Sequence, residues 1–189
     1  VHLSTGDMLR EAVRKGTPLG KKAEGFMAKG ELVPDELIVG LIEAKVSDGE
    51  LSHGFVLDGF PRTIPQAESL KQMLTGHEMQ LDRAVLFMVS DEEVVRRLSG
   101  RWHCPVCQTG YNYPSQMPNV AGKCDKDNAV LQRRPDDDEN VVRNRLGVYK
   151  RQTAPIVDYY RKESILSEIP GEGHPDTVYQ ALLKAVDLR

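Results

Sequence analysis

Short apolar runs alternate with amphipathic stretches along this chain, and the alternation predicts strands and helices in turn. Apolar runs of strand length occur at residues 1–3, 54–57, 84–89 and 164–169. The run at 54–57 meets Asp58 and Gly59 abruptly, as a buried parallel strand does where it enters a loop. Helical periodicity predicts helices over 7–14, 17–30 and 178–186, and others that begin near 34, 65, 90 and 136. Strands that alternate with helices indicate an α/β fold with a doubly wound parallel sheet.

Two of the predicted helix starts carry specific signals. Ser90 followed by Glu93 has the pattern of a capping box, in which the serine side chain accepts a backbone N–H of the first turn. The three aspartates at 136–138 favour a helix N-terminus, where negative charge meets the positive end of the helix dipole.

Residues 101–134 interrupt the pattern with turns, tyrosines, prolines and cysteines, and they predict an inserted segment. Cys104 and Cys107 form one knuckle, and after sixteen residues Cys124 and Asp127 form a second. Two such knuckles can close four ligands around one tetrahedral metal, which predicts zinc with Asp127 in place of the usual fourth cysteine. The zinc would be structural, because four protein ligands leave no open position. The alternatives are buried thiols beside a surface aspartate, or knuckles that bind nucleic acid.

Arginines flank this insert on both sides. Arg97 and Arg101 precede the cysteines, and Arg133, Arg134 and Arg145 follow them. A metal-bound flap edged with guanidinium groups indicates a lid that folds over phosphate.

The totals restrict the functional classes. With 189 residues and 40% apolar content, the chain can form one globular domain with a small insert. A net charge of −3 argues against bulk nucleic-acid binding. The longest apolar run has six residues, so no membrane span is expected, and the first residues do not resemble a signal peptide. Cysteines at metal spacing favour a reducing compartment, and we expect the cytoplasm.

Polar clusters follow three of the predicted strands, where ligands bind in open α/β sheets. The first contains Ser4, Asp7 and Arg10, the second runs from 58 to 66, and the third covers 171–173. The segments Ser-Thr-Gly-Asp-Met-Leu-Arg at 4–10, Leu-Asp-Gly-Phe-Pro-Arg-Thr-Ile-Pro-Gln at 57–66 and Arg-Arg-Pro-Asp-Asp at 133–137 resemble adenylate kinases, in particular the bacterial long-lid form that carries zinc. The resemblance extends along essentially the whole chain.

The resemblance implies a fold and an activity. The fold would be the doubly wound sheet of the P-loop nucleoside monophosphate kinases, with a small zinc-containing lid. The activity would be Mg-dependent phosphoryl transfer from ATP to AMP, giving two ADP, by a monomer. The core would span 1–100 and 136–189, with an AMP-binding helical insert at about 4–33 and a lid at 101–135. An alternative is another nucleoside monophosphate kinase with a different base preference.

The resemblance also implies an AMP site. Arg10 and Arg62 would bind the AMP phosphate, because a guanidinium matches phosphate oxygens bidentately. Thr5 and Gln66 would hold adenine, since an amide can donate and accept along one ring edge. The complete set implied for AMP is Thr5, Arg10, Glu31, Val33, Gly59, Arg62, Gln66, Arg134 and Arg145.

Further residues would act on the transferred phosphoryl group. Asp58 would lie near magnesium, mostly through water, because magnesium keeps much of its hydration shell. Arg97 and Arg101 would contact ATP, and Asp136 and Asp137 would orient the arginines. The implied catalytic set is Asp58, Arg62, Arg97, Arg134 and Arg145. Such transfer depends on positioning and charge neutralisation, and lid closure excludes water.

The family's phosphate loop, Gly-x-x-x-x-Gly-Lys-Ser/Thr, is not found in this sequence. Val1 corresponds to the start of the family's second strand, so we expect a truncated or partial form of a normal enzyme. If the polypeptide begins at Val1, we expect little stable fold and no useful catalysis. This leaves a second alternative, a non-catalytic zinc-bearing fragment that binds AMP.

Overall fold

The structure is a computed structural model that describes residues 1–49, 51, 53–113 and 115–187. Six strands and eight α-helices are assigned within these residues, in an order that alternates as the sequence predicts. The strands are β1 His2–Ser4, β2 Val56–Asp58, β3 Ala84–Met88, β4 Arg101–His103, β5 Gly110–Asn112 and β6 Leu166–Pro170. The helices are α1 Thr5–Arg14, α2 Pro18–Lys29, α3 Asp35–Ser47, α4 Ile64–Gly76, α5 Asp91–Ser99, α6 Glu139–Val148, α7 Pro155–Lys162 and α8 Pro175–Val186.

Two pairs of parallel strands form the α/β part of the chain. β1 pairs with β2, with Leu3 opposite Leu57, and β3 pairs with β6 from Ala84 opposite Leu166. The mixed α/β class and the parallel strand direction are therefore confirmed. Within the described residues no hydrogen-bonded strand joins the two pairs, and Val56 on β2 stays 64% exposed.

The main core packs helices α1 to α4 against β1 and β2. Its centre contains Ile42 and Leu70, both fully buried, and Leu3 and Leu9 bring the first strand and helix into the same cluster. A second cluster joins α4 to α7 through Ala67, which packs with Ile156 and Tyr160. Burial at these positions supplies most of the free energy that holds the strand ends in place.

Local caps explain where several helices begin. The Ser4 hydroxyl accepts the backbone N–H of Asp7, Thr17 accepts that of Gly20, and Thr63 accepts that of Gln66. Each hydroxyl satisfies one backbone N–H that the first helical turn leaves unpaired. The caps of α1 and α4 therefore fix the two segments that follow β1 and β2.

At two predicted helix starts the capping contacts differ from the expected ones. Ser90 is the N-cap residue of α5, as predicted, but its side chain accepts no backbone N–H of the helix. Its hydroxyl and its backbone N–H both donate to the carboxylate of Glu172, at 2.7 and 2.6 Å. The aspartates at 136–138 do not open α6 directly. Pro135–Asp137 forms a 3₁₀ turn, and Asp138 then caps α6 by accepting the N–H of Asn140 at 2.9 Å.

The insert is a small lid-like unit with its own core. β4 and β5 pair antiparallel, with Trp102 opposite Tyr111, and Lys123 bridges to Val130 across the second knuckle. Cys104, Cys124 and Tyr111 are buried together in this unit. None of the helices in the described part of the chain has the length and apolarity needed to cross a bilayer.

Candidate active site

A polar cleft of about 200 Å³ lies where β1 and β2 end. Segments far apart in the sequence meet here, because parallel strands bring their carboxyl ends to one edge. The residues that line the cleft are Ser4, Gly6, Asp7, Arg10, Asp58, Gly59, Arg62, Arg101, Arg134 and Arg145. Five guanidinium groups thus share one cavity, which is a strongly anion-attracting arrangement.

Asp7 connects two of these arginines. Its Oδ1 lies 2.6 Å from Arg10 Nη2 on the same helix and 3.9 Å from Arg134 Nη2, which follows the insert. The hydrogen bond from Arg10 holds the pKa of Asp7 below its usual 3.8. The Arg134 guanidinium is itself partly buried, and this burial and the charge of Arg10 lower its pKa. Asp7 and the two arginines therefore form a charged group on one wall of the cleft.

The acidic pair after the insert contacts three arginines. Asp136 Oδ2 lies 3.4 Å from Arg145 Nη1 and 3.8 Å from Arg10 Nη1. Asp137 is completely buried and accepts Nε and Nη2 of Arg101, the Nε bond being 2.8 Å long. Such a two-point contact fixes the plane of the guanidinium group as well as its position.

Arg62 is held by the loop that follows β2. Its Nε donates to the carbonyl oxygen of Gly59 at 2.9 Å, and the Thr5 hydroxyl donates to the same oxygen at 2.9 Å. Burial lowers the pKa of Arg62, and the nearby charge of Arg145 lowers it further. Gly59 has φ 73°, and a Cβ there would lie 2.9 Å from Arg62 Nη2. Only glycine combines this backbone conformation with so close an approach.

Gln66 lies behind this loop and is almost completely buried. Its Oε1 accepts the backbone N–H of Arg62 at 2.7 Å, and its Nε2 donates to Asp35 Oδ1 at 2.7 Å. Asp35 also accepts the Thr63 hydroxyl at 2.8 Å. These bonds fix the orientation of the amide, and Gln66 does not itself line the cleft.

The remaining predicted residues occupy different places. The Asp58 side chain lines the cleft and is 63% exposed. Glu31 and Val33 lie between α2 and α3, where Glu31 is exposed and Val33 is in the core, and neither lines the cleft. Arg97 also lies outside it. The Arg97 guanidinium binds Glu93 at 2.6 Å and the carbonyl oxygen of Gly171 at 2.9 Å.

A larger hollow of about 500 Å³ lies between α5 and α6. Its charged groups are largely neutralised by each other or by neighbours: Lys150 pairs with Asp91, Arg96 with Glu93, and Arg143 with Glu139. We therefore place the chemistry in the smaller cleft, where five guanidinium groups outnumber the lining and neighbouring carboxylates of Asp7, Asp58, Asp136 and Asp137.

The four predicted metal ligands come together in the insert. One donor atom from each of Cys104, Cys107, Cys124 and Asp127 lies within 4.8 Å of the others. The Sγ atoms of Cys107 and Cys124 are 3.5 Å apart, and an Asp127 oxygen is 3.2 Å from Cys104 Sγ. Zinc bound tetrahedrally by sulfur at about 2.3 Å separates its sulfur ligands by about 3.8 Å. The ligand set and its dimensions therefore fit zinc.

The environment sets the charge states of these ligands. Burial raises the pKa of the Cys104 thiol to about 11. Burial also opposes ionisation of Cys124, but hydrogen bonds from the Tyr111 hydroxyl and nearby backbone N–H groups outweigh it and lower that pKa. A hydrogen bond from Cys107 lowers the pKa of Asp127 to about 2. Metal binding must therefore displace the protons that the thiols carry, and the raised pKa of Cys104 opposes this step.

Sequence reasoning gave no role to several residues that organise both sites. Asp7 stands one helical turn before Arg10, a spacing that predicts an ion pair. Asp35 bonds Gln66, 31 residues away, and Tyr111 bonds Cys124, 13 residues away, and no local sequence pattern indicates either contact. Gly30 leaves room for Arg145, since a Cβ there would lie 2.6 Å from its Cγ.

The fold and the two sites define a class: an α/β phosphate-binding protein with a cysteine-rich, lid-like insert. The family profile described as adenylate kinase matches residues 1–165. The chain is 44% identical over 184 residues to the adenylate kinase of Geotalea uraniireducens, covering 97% of this chain and 85% of that protein. It is 47% identical over 177 residues to that of Methanocella arvoryzae, covering 94% and 82%. This chain belongs to the adenylate kinase family.

Proposed function

We propose that this chain transfers the terminal phosphoryl group of ATP to a phosphate oxygen of AMP, giving two ADP, and does so reversibly. The family supports the reaction, and one observation supports its location: five arginines from distant segments line a single cleft. Positive charge in a small cavity is the main requirement of phosphoryl transfer, which needs neither a covalent intermediate nor a strong base.

The AMP phosphate would bind Arg10 and Arg62. Both guanidinium groups line the cleft, and the bond from Arg62 Nε to the Gly59 carbonyl leaves its Nη atoms for phosphate oxygens. Thr5 and Gln66 would contact adenine, with the Gln66 amide oriented by Asp35. The backbone at Glu31, Val33 and Gly59 would close the base pocket, as the family resemblance implies.

The transferred group would meet Arg101, Arg134 and Arg145. Asp137 fixes the plane of Arg101, and Asp136 contacts Arg145, so the acidic pair would orient these donors. Arg97 would contact the ATP side from outside the cleft, beside Gly171. Donors held in place before the reaction stabilise developing charge without reorganising.

Magnesium would enter with ATP as part of the substrate. Asp58 offers a carboxylate on the wall of the cleft, and its exposure leaves space for the water ligands that magnesium retains. When bound, the ion neutralises phosphate charge. The carboxylate of Asp58 would hold the hydrated ion beside Arg62.

Zinc would be a structural ion in the insert, held by Cys104, Cys107, Cys124 and Asp127. When bound, it links the two knuckles and fixes the shape of the lid. We further propose a core at 1–100 and 136–189, forming one doubly wound sheet, with an AMP-binding insert at 4–33 and a lid at 101–135. We expect the enzyme to be a monomer of the cytoplasm.

A coupled assay with ATP, magnesium and each of AMP, GMP, CMP and UMP tests the proposal. We expect turnover with AMP, and a fall of at least about 100-fold in kcat/KM for Arg62→Lys, because lysine cannot bind phosphate bidentately. Arg143→Lys is the matched control, since Arg143 is exposed and pairs only with Glu139 among the ion pairs of the described chain.

Three outcomes would contradict the proposal. Turnover preferring another acceptor would indicate a different nucleoside monophosphate kinase. AMP binding by calorimetry without turnover would indicate a non-catalytic module. Equal effects of Arg62→Lys and Arg143→Lys would show that the cleft is not where the phosphate binds.

A further inference from the structure

The cysteine site concentrates negative charge, and half of its ligands are buried. Three thiolates and one carboxylate around a divalent ion carry a net charge of −2. Cys104 is fully buried and Cys124 is 2% exposed, so water contributes little to stabilising the charge on these two sulfurs, whereas Cys107 and Asp127 are exposed. Hydrogen-bond donors from the protein must therefore take that role.

Backbone N–H groups supply part of the need. Cys104 Sγ accepts from the N–H of Val106 at 3.3 Å and of Cys107 at 3.4 Å, and Cys124 Sγ accepts from that of Lys126 at 3.4 Å. These donors follow from the turn of each knuckle and do not depend on side chains. Two of these N–H groups donate to Cys104 and one donates to Cys124.

Two side-chain hydroxyls complete the set. Tyr111 Oη lies 3.5 Å from Cys124 Sγ, and Thr109 Oγ1 lies 3.1 Å from Cys107 Sγ. When Cys107 is a thiolate, it can only accept, so the Thr109 hydroxyl must be the donor. The two hydroxyls thus contact Cys107 and Cys124, the sulfurs that accept fewer backbone N–H groups than Cys104 does.

The orientation of the Tyr111 hydroxyl is fixed by a second bond. Its oxygen accepts the backbone N–H of Asp125 at 2.8 Å, in a side chain that is only 5% exposed. With that lone pair occupied and little access for water, the single hydroxyl proton is free to point at the Cys124 sulfur. Donation to the sulfur is consistent with the geometry on both sides of the oxygen.

We propose that Tyr111 and Thr109 are positioning residues for the metal: their hydroxyls donate to the thiolates of Cys124 and Cys107 and raise the affinity of the site for zinc. The inference rests on the zinc site of the proposed function, but it does not depend on kinase activity.

Zinc affinity should be measured without nucleotide, by competition with a chromophoric chelator at fixed pH. Removal of such an outer donor weakens metal binding by about 10- to 100-fold. We expect a loss in that range for Tyr111→Phe and for Thr109→Val, and near wild-type affinity for Thr109→Ser, which keeps the hydroxyl. Tyr113→Phe is the matched control, because that hydroxyl accepts the N–H of Gly122 at 3.2 Å and contacts no ligand in the described structure.

Cobalt substitution distinguishes hydrogen bonding to the thiolates from a purely structural role of these side chains. The thiolate-to-cobalt absorption band reports on electron density at sulfur, so it should shift in Tyr111→Phe and Thr109→Val and stay unchanged in Tyr113→Phe and Thr109→Ser. Wild-type affinity in Thr109→Val together with an unmoved band in Tyr111→Phe would overturn the proposal. A wild-type protein that binds no zinc would overturn it together with the metal site, whatever the turnover with ATP and AMP.

Discussion

Replacing Asp137 with asparagine should destabilise the protein far more than an ordinary surface change. The Asp137 carboxylate is completely buried and accepts two donors from Arg101, whose side chain is 29% exposed. The carbonyl oxygen of Asp137 also accepts Arg133 Nη2 at 3.1 Å. The substitution keeps the backbone contact and one oxygen, and it leaves the Arg101 charge without its buried counter-charge.

The magnitude follows from burial. Removing one partner of a buried ion pair costs about 3–5 kcal/mol. Asparagine retains one acceptor and Arg101 keeps some contact with water, so we expect a loss of about 2–3 kcal/mol in the free energy of unfolding. For a chain of this size each kcal/mol lowers Tm by about 2–4 °C, which gives a fall of about 4–12 °C.

Urea and thermal unfolding of a small set of variants test this estimate. Glu139→Gln is the control, because it breaks a carboxylate–arginine pair with Arg143 whose side chains are 57% and 63% exposed. Such a pair contributes about 0.5 kcal/mol or less. A double-mutant cycle with Arg101→Gln should give a coupling energy near the single-mutant loss. An Asp137→Asn effect no larger than that of Glu139→Gln, or a coupling energy of zero, would refute the reasoning.

Three further results are expected. Chelation of the metal should lower Tm while the protein that stays folded keeps its turnover, because the binding energy of a structural metal contributes to folding stability. Loss of turnover with an unchanged Tm would contradict this. Gly59→Ala should raise KM for AMP by displacing Arg62. Gly49→Ala is the control, because its φ of 71° is close to the 73° of Gly59 and a Cβ there meets none of the described atoms, so it should cost only about 1–2 kcal/mol of stability. Equal effects on KM would count against the site. Because the folded pKa of Asp7 is depressed, its contribution to stability is present above pH 3.8 and is lost as pH falls through the lower folded value. NMR titration should show the depressed pKa in the wild type and a smaller depression in Arg10→Gln. A wild-type pKa at or above 3.8 would contradict this.

The fold could be predicted where periodicity and local chemistry agree. The strand at 84–89 and the helix restarted by Thr17 and Pro18 appear within a residue or two of their predicted bounds. The helix after Ser90 begins where predicted, but the side-chain bond of the capping box is wrong, because Glu172, 82 residues later, accepts both donors of that serine. A contact of that separation competes with the local one and leaves no trace in the spacing of residues.

The site could be predicted only as far as motifs carry it. The spacing of the four metal ligands was enough to predict that they lie together, because a knuckle fixes its own geometry within four residues. The partners of the functional groups were not visible in the same way. Asp35 orients the Gln66 amide from another helix, and Tyr111 reaches Cys124 across the insert, so both depend on packing that only the folded chain supplies.

The carboxylates of the cleft differ in exposure, and this difference assigns them different tasks. Five arginines line the cleft beside two lining aspartates, and they remain in excess when Asp136 and Asp137 are counted, so the cavity keeps positive charge that phosphate can neutralise. The Asp137 side chain is fully buried, so a phosphate ion in the cleft does not reach the carboxylate that holds Arg101. The Asp7 side chain is 62% exposed and bonds a guanidinium that faces the cavity, so its contact with Arg10 is the one that a phosphate oxygen can exchange at least cost. We therefore expect the buried carboxylate to preserve the shape of the site and the exposed one to release its arginine to the substrate.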